Sequence, residues 1–175
     1  MHIFVLAAAI VLPLHGKTIV IDPGHNGANW SHPAEINRLV DAGGFRKACD
    51  TTGTSTNEGY AEAGYNLDVA LRLAEVLRAA GARVVLTRTT NDGWGPCINE
   101  RAAIGNRAHA DAAISIHADG GPASGRGFHV IYPPSIPQLT DDIAGSSQLA
   151  IVYWKSDGSS GATATGNILF TQCTH

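Results

Sequence analysis

The sequence predicts a single α/β domain on a mostly parallel, twisted sheet flanked by helices. Three observations predict it. Strand-like runs at Lys17–Asp22, Arg83–Thr87 and Ala112–His117 alternate with helical patterns, the order that builds βαβ units. A length of 175 residues with 44% hydrophobic content is enough for one core. No internal repeat interrupts the pattern, and no apolar run reaches the roughly 18 residues of a membrane span.

Taken in order, Lys17–Asp22 reads as a buried strand rich in β-branched residues, broken by Pro23-Gly24. Asn26 to Tyr60 is a long polar stretch, the kind of loop that is usually functional or pinned by a disulfide. Asn66–Ala80 is the clearest helix, with Leu67, Ala70, Leu71, Ala74 and Leu77 on one apolar face and Gly81 placed as a C-terminal cap. Arg83–Thr87 follows as a strand, Asn99–Ala108 as a helix, and Ala112–His117 as a third strand. Ala118-Asp119-Gly120-Gly121 then reads as a turn. A fourth strand is expected over Phe128–Tyr132, and a helix from Asp141 to about Trp154, opened by acids that suit the positive end of its dipole. From Ser156 to Gly166 the chain reads as coil, with Ile168–Phe170 able to form only a short strand. On this pattern residues 1–16 resemble an export segment, 17–154 form the domain, and 155–175 are a divergent tail that leaves the C-terminal part incomplete.

Composition excludes several classes. Only 15% of residues are charged and the formal net charge is -3, which argues against nucleic acid as a partner because phosphate neutralisation needs a basic stripe. The apolar stretch from Ile3 to Leu14 has the length of a signal-peptide core and too little for stable membrane insertion. Secretion is the expectation. Cys49 and Cys97 lie in loop-like surroundings, where a disulfide would staple two long loops, and Cys173 is left over. The absence of C-x-x-C spacing speaks against a zinc role for these cysteines.

The chemistry gathers on histidines and acids. His25 follows the first strand through Asp22-Pro23-Gly24, a sharp turn that holds the next side chain above the sheet edge. His117 ends the fully apolar strand Ala112–Ile116. A carboxylate from Glu62, or from Glu58 nearby, completes a set of two imidazoles and one acid. Such a set suits a catalytic zinc ion, which takes three protein ligands and keeps a position open. Asp22 is placed to accept a ring N–H from a liganding histidine. Asn26, Arg88, Asp119 and His129 stand as further candidates to support the ligands or face substrate, with Arg88 and Arg101 read first as loop-pinning cations.

The chain resembles the zinc-dependent N-acetylmuramoyl-L-alanine amidases of the amidase-3 type, and among them the compact secreted actinobacterial and mycobacterial members. The matching blocks are Ile19-Val-Ile-Asp-Pro-Gly-His25-Asn-Gly, Glu62-x-x-x-Asn66-Leu67, Gly81-Ala-Arg-Val-Val-Leu-Thr87-Arg88, Glu100-Arg101-Ala with Asn106-Arg107-Ala, Ile114-Ser-Ile-His117-Ala-Asp, and Gly125-Arg-Gly-Phe-His-Val130. The resemblance implies a phosphorylase/hydrolase-like sheet, one Zn2+ held by His25, Glu62 and His117, and a Cys49–Cys97 disulfide. It also implies peptidoglycan as the substrate, cleaved between the lactyl group of N-acetylmuramic acid and L-alanine, by a monomer. One departure stands out. The family carries a further glutamate near the C-terminus as general base and acid, whereas this sequence has none after Glu100. Neither Asp119 nor Asp157 has a context that recommends it as a substitute. The resemblance therefore implies impaired turnover, with a non-catalytic zinc-containing peptidoglycan binder or regulator as the alternative.

Overall fold

The computed structural model describes residues 12–121, 148–155 and 163–172. Its centre is strand β1 (Thr18–Pro23), whose Val20 and Ile21 are almost completely buried because the strand is paired on both sides. β4 (Arg83–Leu86) lies parallel to it on one side and β5 (Ala112–Gly121) parallel on the other. Between them in sequence come the short helix α1 (Pro33–Ile36), a small antiparallel hairpin of β2 (Leu39–Asp41) and β3 (Arg46–Ala48), and the long helix α2 (Glu62–Ala79). Helix α3 (Ile98–Arg107) links β4 to β5. Beyond β5, strands β6 (Gln148–Lys155) and β7 (Thr163–Gln172) extend the sheet, giving the order β4-β1-β5-β7-β6.

Strand alternation assigns the two faces. Ile19 and Ile21 of β1 and Ile114 and Ile116 of β5 point to one side, where Ala70 and Ala74 of α2 seal the core. The alanines let the helix axis come close, and Leu73, Leu77, Val84 and Leu86 fill the flanks. The expected helix face is rotated by about one residue: Ala70, Ala74 and Leu77 do face the core, but Leu71 is 41% exposed and Val69 and Leu73 pack instead. The turn before β1 also belongs to this core. Leu14 packs against it and donates its amide to the Ala80 carbonyl at 2.9 Å.

On the opposite face, Asp22 sits beside its register partner Ser115 and is reached by Arg101 from α3. Glu100 closes the first turn of α3 by accepting the Cys97 amide at 2.8 Å. The Cys49–Cys97 disulfide is formed, with an S–S distance of 2.07 Å, and joins the end of the hairpin to the start of α3.

The expected parallel half of the sheet is present; the other half is antiparallel. β5 does not turn at Ala118 but continues to Gly121, because β7 pairs with it along its whole length, from Ala112↔Gln172 to Gly121↔Thr163. The sequence expectation of a helix to Trp154 is corrected to a strand over Gln148–Lys155. Leu149-Ala-Ile-Val-Tyr-Trp154 is short, β-branched and aromatic, and a partner strand decides such runs. The expected coil likewise gives way to β7 from Thr163, whose weak local preference is outweighed by partners on both edges. The supposed long loop from Asn26 to Tyr60 holds a 3-10 turn, α1 and the hairpin. The strand expected over Phe128–Tyr132 lies outside the described residues.

Candidate metal centre

The site forms where β1 and β5 approach the first turn of α2, the crevice beyond strand ends where open α/β sheets place ligands. β1 ends at Pro23, and Gly24 bonds its amide to the Ile116 carbonyl, keeping the turn flat against β5. A Cβ on Gly24 would lie 2.1 Å from His117 Cε1, so only glycine lets the ring sit over the turn. His25 then adopts a left-handed backbone, φ 57°, which swings its side chain back over the strand ends. Gly53, at φ +74°, passes over the other side. A Cβ there would meet Glu62 Oε2 at 2.7 Å and His25 Cδ2 at 2.8 Å.

His25, Glu62 and His117 converge, each offering one ligand atom. His25 Nε2 lies 3.2 Å from Glu62 Oε1 and 3.2 Å from His117 Nδ1, while His117 Nδ1 lies 3.1 Å from Glu62 Oε1. Ligands at 2.0–2.1 Å from a tetrahedral zinc ion are separated by roughly 3.3 Å, so this near-equilateral triangle is the donor set such an ion requires. The side chains of His25 and Glu62 are 9% and 4% exposed, whereas that of His117 is 33% exposed. The triangle is thus walled on two corners and open at the third, which fits a site that must admit a further molecule.

Hydrogen bonds fix the carboxylate. Glu62 Oε1 accepts the Ala118 amide at 2.8 Å and Oε2 accepts the Thr54 amide at 2.9 Å. Burial alone would raise its pKa, but hydrogen bonds with His117 and His25 hold the carboxyl far below the ordinary range. Burial likewise works against a charged His25, and the hydrogen bonds to Asp50 and Glu62 overcome it, lifting the imidazole to about 9. A site that favours a cation on this imidazole is electrostatically prepared for a metal cation in its place.

The remaining candidates fall elsewhere. Asp22 does not meet a histidine nitrogen through a hydrogen bond. Its oxygens accept from Thr87, Ser115 and Arg101, and despite burial the Arg101 guanidinium and its other partners bring its pKa down to about 2. The carboxylate that meets the other ring nitrogen of His25 is Asp50, which lies 3.1 Å from Nδ1 and which sequence reasoning missed. Asn26 is buried and binds the Gly95 carbonyl, pinning a neighbouring loop. Arg88 is buried as well, and donates to the carbonyls of Pro23, Gly24, Ala63 and Thr90 and to Asn91. Burial lowers its pKa to about 10, and it fastens the histidine turn to α2. Glu58 is exposed and outside the triangle. His129 and the side chain of Asp119 lie outside the described residues, as does Asp157.

This arrangement, a strand-end triangle of two imidazoles and a carboxylate, defines a candidate metal-dependent hydrolase. Residues 19–165 match the family model Amidase_3, N-acetylmuramoyl-L-alanine amidase, and the chain belongs to that family. It is 47% identical over 142 residues to N-acetylmuramoyl-L-alanine amidase Rv3717 of Mycobacterium tuberculosis, a match covering 81% of this chain and 57% of the relative. Among solved structures it is similar to the N-acetylmuramyl-L-alanine amidase Ami1 of Mycobacterium smegmatis, with a TM-score of 0.65, 45% identity, and coverage of 71% of this chain and 58% of that one. The apo form of Ami1 from Mycobacterium abscessus gives the same TM-score and identity, covering 70% and 57%. The chain therefore spans less than three-fifths of the length of these relatives.

Proposed function

We propose that the protein binds one zinc ion through His25, Glu62 and His117 and acts on peptidoglycan at the amide between N-acetylmuramic acid and L-alanine. The single observation behind this reading is the donor triangle with its 3.1–3.2 Å edges. Family membership supports the choice of bond. When bound, zinc supplies Lewis acidity: it brings the pKa of water towards neutrality and polarises a carbonyl. The protein's own residues do the rest. Glu62, fixed by two backbone amides, and His25, gripped on its far nitrogen, hold the donors in register, while His117 borders the open side where a scissile carbonyl would enter. The apolar N-terminal stretch serves export, and the product acts at the cell wall.

Turnover is expected to be impaired. General acid–base assistance is typically worth about 10²–10⁴-fold, and no glutamate follows Glu100 in this sequence to provide it. Incubation with purified peptidoglycan should release stem peptides slowly, with release lost on chelation and restored by zinc. No release at any loading, together with retention on insoluble peptidoglycan, would favour the second reading that the missing glutamate motivates, a zinc-containing binder or regulator. Failure to take up zinc in equilibrium dialysis would overturn both.

A further inference from the structure

We infer that Asp50 is the positioning residue that fixes His25 as a metal ligand, and that Arg101 holds Asp50 in place for that purpose. The inference rests on the zinc reading above and deepens it. His25 turns Nε2 towards Glu62 and His117, and Nδ1 towards Asp50 Oδ1 at 3.1 Å and the Thr51 carbonyl at 2.9 Å. A carboxylate and a carbonyl can only accept, and the Thr51 hydroxyl, farther off at 3.3 Å, can accept as well. Nδ1 therefore carries the hydrogen, and the Nε2 lone pair is left for an ion. Of the two nearer acceptors, the Thr51 carbonyl is neutral and already takes Asn29 Nδ2 at 2.8 Å. The carboxylate is charged, and hydrogen bonds to a charged acceptor are the stronger kind.

Asp50 is itself held from behind. Its Oδ2 accepts Arg101 Nη2 at 3.0 Å, its Oδ1 accepts the Thr51 amide at 2.7 Å, and both Asp50 and Arg101 are 7% exposed. The same Nη2 bonds the His25 carbonyl at 3.1 Å, so one guanidinium grips the main chain of His25 directly and its ring through Asp50. The other arm, Nη1, is anchored on Asp22 at 2.7 Å and on the Pro23 carbonyl at 2.8 Å. Cys49, which precedes Asp50, is bonded to Cys97, which caps the helix that carries Arg101. The two halves of the clamp are thereby joined covalently a residue or one helical turn away.

Asp50→Asn and Asp22→Asn separate this role from a merely structural one. Each removes one carboxylate from Arg101, but only Asp50 touches His25. An asparagine at 50 has a single acceptor oxygen, so it can serve His25 or Arg101 but not both. With zinc affinity read by chelator competition, Asp50→Asn is expected to weaken binding about 10–100-fold while Asp22→Asn stays within about threefold of wild type. Both should lower the melting temperature. In the zinc-loaded protein, the His25 Nδ1–H resonance should shift and exchange faster in Asp50→Asn alone. Arg101→Lys keeps the cation but cannot bridge both carboxylates, and serves if Asp50→Asn fails to fold; its zinc affinity should be weakened too. Unchanged affinity in Asp50→Asn or in Arg101→Lys, or equal losses in Asp50→Asn and Asp22→Asn, would overturn the inference and leave the zinc reading standing. A wild-type chain that takes up no zinc would overturn the reading beneath it.

Discussion

The turn that carries His25 is held on its two sides by arginines of equal burial and different company. On the α2 side, Arg88 is 7% exposed and spends its donors on carbonyls and one amide oxygen. On the α3 side, Arg101 is also 7% exposed but sits between two carboxylates, the buried Asp50 and the partly buried Asp22. Two of the carbonyls that Arg88 serves have other donors: Pro23 is also bonded by Arg101 and Gly24 by Asn66. The carboxylates that Arg101 serves have other hydrogen bonds but, among these contacts, no second permanent cation. One flank fastens the backbone, whereas the other balances charge next to the candidate metal.

Four experiments press on that contrast, and the largest effect belongs to the triangle both flanks support. Glu62→Ala should abolish zinc uptake and cut stem-peptide release by more than the roughly 100-fold that losing a supporting partner costs, as measured by dialysis and by release from peptidoglycan. Next come the arginines. Arg101→Met strands one buried and one partly buried carboxylate and should cost about 3–5 kcal/mol, whereas Arg88→Met loses hydrogen bonds to uncharged acceptors, two of them shared, and should cost about 1.5–3 kcal/mol. Denaturant unfolding of the metal-free proteins measures both, and a reversed order would break the contrast.

The third effect is one of pH. The His25 pKa is raised from 6.5 to about 9 in the metal-free fold, so its protonation stabilises that fold fully below pH 6.5, and the contribution is lost as pH rises through 9. Zinc competes with the same proton. Its affinity should therefore climb roughly tenfold per pH unit towards pH 9 and then level off, with proton release seen by calorimetry in buffers of different ionisation heat. The smallest effect tests the helix face. Leu71→Ala, at a position 41% exposed, should stay within about 0.5 kcal/mol, while Ala70→Leu, fully buried against the sheet, should cost about 1–3 kcal/mol by overpacking.

The three candidate donors stood out in the sequence because each lies at or beside a regular element: His25 after a strand that stops at Pro-Gly, His117 at the end of an apolar strand, Glu62 just ahead of an amphipathic helix, which in the fold begins at Glu62 itself. Spacing alone left Glu58 open beside Glu62; the family resemblance favoured Glu62, and the first turn of α2 carries it to the histidines. The partner of His25 was not legible. Asp22 is the nearer acid in sequence, but strand alternation turns it onto the same face as Val20 and Ser115, towards α3. Asp50 lies in a polar loop without periodicity, 25 residues from the ring it meets. Counting the alternation of β1 would have moved Asp22 away from the histidines. No local signal would have supplied Asp50. The C-terminal strands escaped for a related reason: a short apolar run and an Ala/Gly/Thr-rich segment take their conformation from distant partners.

The distance along the chain between His25 and His117 is 92 residues, and Arg101 bridges β1, the loop after the hairpin and the approach to α3. No pair of neighbouring segments contains a usable half of the pocket. Assembly must wait for the most sequence-distant pairing of the parallel sheet, which closes slowly because long chain excursions are entropically expensive. A nascent or partly folded chain would thus lack the candidate site, and any ion held there would report that the first and fifth strands have met.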